Sequence, residues 1–160
     1  MAGLNNVDIN NLSPLGFVFK INNLPNTEFH VQGASFPGMS LGVARIGTGF
    51  VRIPTPGNID YDTFSITFKI NENMSSYRDV FDWMVSLGHP DNLDTQYQNI
   101  KSDASLVILN SSKRPNINVK FTECFPTLIS PIEFDTTLED VQYLTATASF
   151  TFLRMFFEDI

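Results

Sequence analysis

Two stretches of the chain alternate between apolar and small polar residues, and this period of two constrains the fold more than any other feature. Residues 63–70 read TFSITFKI, and residues 143–152 read YLTATASFTF. Successive side chains of a β-strand point to opposite faces, so each stretch has one apolar face and one face of Thr and Ser. Each therefore predicts a strand that packs one face on a core, with Lys69 as the single charge among the polar positions.

Shorter alternating or apolar runs predict further strands at residues 15–21, 28–33, 104–110 and 117–125. The Asn- and Pro-containing break NNLPN separates the first two runs, which indicates a hairpin between them. With about seven or eight strands in all, the chain is predicted to be mainly β, an antiparallel sandwich or barrel.

One segment has a helical period instead. The helix is predicted over about residues 75–87, packed on the sheets, with Ser75 or Ser76 as its cap and Gly88 just beyond its end. Its apolar stripe comprises Tyr77, Val80, Phe81, Met84 and Leu87, with Trp83 near the border.

Residues 35–60, SFPGMSLGVARIGTGFVRIPTPGNID, combine glycines and prolines with many apolar side chains. One interpretation is a bulged hairpin that projects and packs on a neighbouring subunit. The alternative is an irregular edge strand with a long loop. In the first case Arg45 and Arg52 are placed to pair with acidic groups of another subunit.

Composition disfavours several functions. With 10 Lys plus Arg against 17 Asp plus Glu, the chain is acidic and has no basic block for gripping nucleic acid. The single cysteine, Cys124, is expected to be a buried apolar residue.

No catalytic constellation, metal-ligand spacing or cofactor motif is found, so we expect neither an enzyme nor a bound cofactor. Neither a secretory signal nor a membrane-spanning segment is predicted.

The order of these elements resembles the tail tube proteins of contractile-tailed bacteriophages, across about residues 15–156. The local marks are ASFPGMSLG leading into VRIPTPG, and FDWM on the helix. The resemblance implies one tail-tube-like domain over residues 1–160. Residues 1–14 are rich in Asn and end at Ser13-Pro14, which predicts a flexible or partner-docked arm.

The resemblance also implies six-membered rings that stack into a hollow tube for DNA passage, with the helix outside. A hairpin at about residues 39–58 would contact the next ring. Its candidate stacking residues are Val43, Arg45, Ile46, Phe50, Val51, Arg52 and Ile53. Candidate lumen residues are Thr63, Ser65, Thr67, Lys69, Thr145, Thr147, Ser149 and Thr151. Candidate outer-helix residues are Tyr77, Val80, Phe81, Trp83 and Met84.

Bores of this family are expected to be acidic, whereas the candidate lumen faces carry few acids. Acidic groups would have to come from Asp60, Asp62 or the loops, or the bore is neutral.

The implied partners are further copies of the chain, the sheath, baseplate and terminator proteins, and phage DNA held transiently and non-specifically. The implied location is the virion tail, assembled in the host cytoplasm, with no membrane contact. A tube initiator, baseplate or tail terminator protein of the same fold is an alternative. A carbohydrate-binding β-sandwich is another, with Tyr61, Trp83, Tyr97 and Tyr143 as its candidate platform.

Overall fold

The computed structural model describes residues 11–25, 30–89, 101–137, 139 and 142–160. The predicted arm falls largely on residues 1–10, which lie outside the described residues. The elements are β1 (Phe17–Ile21), β2 (Val31–Ser35), β3 (Met39–Gly47), β4 (Arg52–Tyr61), β5 (Phe64–Lys69), α1 (Ser75–Gly88), β6 (Ser102–Leu109), β7 (Pro115–Ile129), β8 (Thr145–Thr151) and β9 (Arg154–Asp159).

Two antiparallel sheets share the long strand β7. The first sheet has the order β1-β6-β7-β9, and the second has the order β7-β8-β5-β2. Residues 117–122 of β7 pair with β9, and residues 125–129 pair with β8. Between them Glu123 has a φ of 54°, and its N–H donates to Asp103 Oδ1 at 3.1 Å. This left-handed residue is the corner at which the strand passes from one sheet to the other.

The core lies between the two sheets, on the apolar faces that the alternation predicts. Phe64 from the second sheet stacks on Phe121 from the first, with ring centroids 4.7 Å apart, and on Phe150 at 5.2 Å. Ala146 and Ala148 of β8 are also buried. The prediction of a mainly β sandwich is confirmed, and Cys124 is buried as expected.

Helix α1 is confirmed, but its buried face is rotated from the predicted one. Val80 and Trp83 enter the core, where Trp83 lies 6.2 Å from Phe150 between ring centroids. The placement of Trp83 at the border is wrong, and Phe81 is half exposed. Spacing alone does not fix which apolar residue of a wide stripe lies at its centre; the sheet beneath does.

The predicted helix caps are also wrong. The helix starts after Met74, which has a φ of 53°, and the Ser75 N–H donates to Asn71 Oδ1 at 2.8 Å. At the other end Gly88 is still helical, and the His89 N–H donates to Val85 O. A side chain four residues upstream thus supplies an acceptor that the serines were expected to provide.

The predicted hairpin between residues 15–21 and 28–33 is wrong. β1 pairs with β6, and β2 pairs with β5, so the two strands belong to different sheets. Leu15, the first residue of the strand predicted over residues 15–21, precedes β1 and is exposed. Residues 28 and 29 of the predicted second strand lie outside the described residues. Alternation identifies a strand and its faces but carries no information about its partner.

Candidate functional site

The structure brings the predicted lumen residues of β5 and β8 onto one surface, the face of the second sheet that points away from the core. Ser65 lies opposite Ser149, Thr67 opposite Thr147, and Lys69 opposite Thr145. The hydroxyl oxygens of Thr67 and Thr147 are 3.2 Å apart, within hydrogen-bond distance. We call this surface the hydroxyl face. Thr63 precedes β5 and is exposed, and Thr151 lies opposite Phe125.

Neighbouring strands extend the hydroxyl face beyond the residues that the sequence indicated. On β2, Ser35 lies opposite Ser65 and Gly33 opposite Thr67. On β7, Leu128 lies opposite Ser149, and the Thr147 N–H donates to Ser130 Oγ at 2.9 Å. Sequence reasoning missed these positions because their strands have no clean alternation, and only lateral pairing assigns them to this face.

Charge appears at the ends of the hydroxyl face. At one end Lys69 Nζ lies 5.1 Å from the centroid of the exposed Tyr143 ring, a cation–π distance. At the other end Asp60 and Asp62 are exposed, and the Asp62 N–H donates to Gly38 O at 3.0 Å. Between these ends, the paired Ser and Thr positions of β5 and β8 are uncharged.

Both margins of the second sheet are edges. Among the described strands, β2 pairs with β5 alone, and residues 125–129 of β7 pair with β8 alone. Their outward backbone N–H and C=O groups are therefore placed to pair with a strand of another chain. The two margins differ in sequence, so pairing between them is head-to-tail rather than self-complementary.

Residues 39–61 form the predicted projecting hairpin, not an irregular edge strand. β3 and β4 make a two-stranded sheet of their own, and the residues of β3 are all exposed. The candidate stacking residues Val43, Arg45, Ile46, Phe50, Val51, Arg52 and Ile53 are exposed as well.

The hairpin has two chemically different faces. Arg45 lies opposite Pro54, and Arg52 opposite Gly47, so both arginines share one face. Ile46 and Ile53 lie opposite each other on the other face. The hairpin therefore presents a cationic side and an aliphatic side, with Phe50 at its tip.

The candidate outer-helix residues do not share one environment. Val80 and Trp83 are buried, whereas Tyr77 and Met84 are partly buried. Phe81 and Val85, four residues apart, are exposed on the outer side of α1. These two side chains leave a small apolar strip facing away from the core.

The candidate carbohydrate platform is not assembled by the described residues. Trp83 is buried, and Tyr61 packs on Phe152 with ring centroids 5.3 Å apart. Tyr143 is exposed but lies beside Lys69, and Tyr97 lies outside the described residues. A row of exposed rings on one sheet face is therefore not available from these side chains.

Ionisable groups of the described chain do not form a reactive cluster. Among the residues that the structure describes, no set of three His, Cys, Asp or Glu side chains is close enough to hold a metal ion. Desolvation raises the pKa of the buried Cys124 thiol to about 12, so it stays protonated and is a poor nucleophile. In the same described residues, α1 is too short and too polar to cross a membrane.

Comparisons with known proteins agree with this architecture. The family model described as phage tail tube protein matches residues 7–158. A search of curated protein sequences finds no significant match.

Solved structures share the fold at low sequence identity. A chain of an extracellular contractile injection system, in its sheath-tube complex, has a TM-score of 0.67 at 16% identity, covering 96% of this chain and 95% of that one. A chain of the sheath/tube terminator of such a system has 0.70 at 15%, covering 92% and 96%. Hcp1 from Flavobacterium johnsoniae has 0.52 at 16%, covering 89% and 94%.

Proposed function

This chain belongs to the phage tail tube protein family, and we propose that it is a structural subunit whose six-membered rings stack into a hollow tail tube for DNA passage. The observation that carries the proposal is the second sheet: four strands, two unlike free edges, and an outward face of uncharged hydroxyl groups. In this assignment the subunit is not an enzyme, and residues 1–160 act as one tail-tube domain with residues 1–14 as an arm.

Ring closure follows from pairing the β2 edge of one subunit with residues 125–129 of β7 in the next. This joins the second sheets into one continuous barrel and removes the two edges of each second sheet, which would otherwise promote aggregation. Six four-stranded sheets with a strand spacing of about 4.8 Å give a circumference of at least roughly 115 Å and a backbone diameter of at least roughly 37 Å, since strand tilt widens a closed barrel. Such a barrel leaves room for duplex DNA after its side chains are counted.

The hydroxyl face then lines the bore. Thr and Ser side chains at this surface offer short hydrogen-bonding groups and no charge, so DNA phosphates are neither held nor strongly repelled along the wall. Asp60 and Asp62 would place acids near one rim, and Lys69 would place a cation near the other. The bore would thus be neutral along its length rather than acidic.

The hairpin supplies the contact between rings, and its partners outside the tube are the sheath, baseplate and terminator proteins. The location is the virion tail, after assembly in the host cytoplasm. A terminator role is a second candidate, favoured by the TM-score of 0.70 against a sheath/tube terminator chain. A terminator or initiator is expected to form single rings, whereas a tube protein polymerises.

Electron microscopy of the purified chain tests the assembly. We expect rings at low concentration and hollow tubes at higher concentration. Isolated rings at every concentration would favour the terminator, and a monomer at high concentration would refute the tube function.

The lumen assignment has a separate test. Thr147→Cys places a thiol on the hydroxyl face, and Phe81→Cys places one on the outer side of α1; the native thiol of Cys124 is buried. In assembled tubes we expect a bulky maleimide-polymer to label Phe81→Cys and to spare Thr147→Cys, while both label in dissociated subunits. Equal labelling of the two in tubes would remove the hydroxyl face from the bore.

A further inference from the structure

A cleft opens between the two sheets at the mouth formed by β1, β6 and β2. Its volume is about 340 Å³. The lining is mainly apolar and includes Leu12, Pro14, Phe17, Ala34, Phe36 and Ile108. Ser13 and Gln32 contribute polar groups, and none of its lining residues is charged. An apolar recess of this size at a sheet margin is suited to receive an apolar side chain from outside.

The hairpin tip carries a matching side chain. Phe50 is fully exposed at 101% of its reference area, and Val51 beside it is exposed. The exposed ring contributes no free energy of burial to the single subunit, and docking into an apolar recess would provide it. The tip segment, residues 48–51, is uncharged, as the cleft is.

The tip is also held in one conformation. Thr48 donates both its N–H and its hydroxyl to Val51 O, at 3.1 Å and 2.7 Å. Gly49 has a φ of 87°, a backbone conformation that suits glycine. A preorganised tip loses little conformational entropy on docking.

The cleft of the same subunit is out of reach of its own tip. Phe36 lies at the rim of the cleft and precedes the base of the hairpin by three residues, and β3 runs away from that base for nine residues. At about 3.4 Å per residue, the tip lies roughly 30 Å from the base. The ring of Phe50 can therefore enter this cleft only in a second copy of the chain.

We propose that the hairpin tip of one subunit docks into the cleft between β1, β2 and β6 of a subunit in the adjacent ring, with Phe50 as the anchor. This deepens the proposed tube function by naming the acceptor of the stacking contact. Because donor and acceptor are different surfaces, a stack of rings still presents free tips at one end and free clefts at the other. A head-to-tail contact between rings that follow one another along an axis does not close, and it therefore permits unlimited growth along that axis.

Removing the anchor tests the donor side. For Phe50→Ala we expect intact rings and a stacking contact weakened roughly 10- to 100-fold per subunit, from the lost burial of one aromatic side chain. Because each ring would lose six such contacts, tube growth should be abolished. Phe134→Ala is the matched control, since Phe134 is also strongly exposed but lies outside both surfaces. Tube growth by Phe50→Ala that equals growth by Phe134→Ala would overturn the docking.

Cross-linking tests the pair directly. The full chain carrying Val51→Cys and Gln32→Cys is expected to give a ladder of disulfide-linked oligomers on non-reducing gels, because docking brings the two thiols close. The control pair Val51→Cys and Ser111→Cys joins the tip to an exposed turn outside the cleft and is expected to lack the ladder.

Equal cross-linking by the two pairs would overturn the docking. Tubes in which Gln32→Cys remains unlinked would also overturn it, and would indicate that another segment, such as residues 1–10, occupies the cleft. The ladder of disulfide-linked oligomers can be measured whether or not the oligomers are tubes. Failure of the unsubstituted chain to form rings therefore refutes the tube function separately from this contact.

Discussion

Ser76 gives the sharpest test of the energetics within the subunit. Its side chain lies in the first turn of α1 and is fully buried. Its hydroxyl has no hydrogen-bond partner among the residues that the structure describes. Removing a hydroxyl from water without replacing its hydrogen bonds costs about 1–3 kcal/mol.

Ser76→Ala removes that cost and leaves a void of only one oxygen atom. We count no gain from helix propensity, because serine is well tolerated in a first helical turn. The expected increase in the free energy of unfolding is therefore about 1–2 kcal/mol. For a domain of this size this corresponds to a rise in Tm of roughly 2–8 °C.

Ser86→Ala is the matched control in the same helix, because the Ser86 hydroxyl donates to Trp83 O at 2.7 Å. That variant loses a hydrogen bond worth about 0.5–1.5 kcal/mol and recovers part of it in helix propensity, so we expect no gain. Urea unfolding should be followed at concentrations too low for ring formation, since assembly stabilises the folded chain. A lower stability for Ser76→Ala, or equal changes in both variants, would refute the reasoning.

Three further predictions concern the corner, the buried thiol and the hairpin. At the left-handed corner, Glu123→Gly should change stability by less than about 1 kcal/mol, whereas Glu123→Val should lose about 1–2 kcal/mol in urea unfolding, because a β-branched residue is strained there. Because the pKa of Cys124 is raised from 9.0 to about 12 in the folded chain, the unfolded state releases its proton first as pH rises. The free energy of unfolding should therefore fall by about 1.4 kcal/mol per pH unit between these two pKa values. Cys124→Ala should lack this contribution to the pH dependence when unfolding is measured at alkaline pH. In the hairpin, a Cβ on Gly57 would lie 2.9 Å from Gly42 O, whereas one on Gly47 would meet nothing within 4 Å. Gly57→Ala should therefore weaken tube growth in light-scattering assays, whereas Gly47→Ala should not. We expect this effect to be confined to the hairpin, so a lower unfolding midpoint for Gly57→Ala would contradict the prediction.

Local periodicity determined several of the strands and their faces, although it did not indicate β9. The alternation at residues 63–70 and 143–152 placed Phe64, Phe68 and Phe150 on the core side, where the structure has them. It did so because a strand has a fixed period and apolar side chains leave water wherever the partner lies. The helix over residues 75–87 and the projecting hairpin followed from equally local signals.

Long-range pairing decided the rest. The partners of β1 and β2 depend on which strands meet across the sandwich, and no period in the sequence encodes that choice. The passage of β7 between the two sheets depends on one residue with a left-handed backbone, Glu123. Glutamate is not a residue type from which a left-handed conformation would be predicted. The buried position of Trp83 depends on where α1 rests on the sheets.

The same division applies to the candidate surfaces. The sequence by itself determined the hydroxyl character of β5 and β8, because side-chain chemistry is read directly from alternating positions. The tertiary structure alone showed that Ser35 and Leu128 join that surface, and that a cleft opens between β1, β6 and β2. Residues far apart in the chain form these surfaces, and their proximity results from packing two sheets around one core.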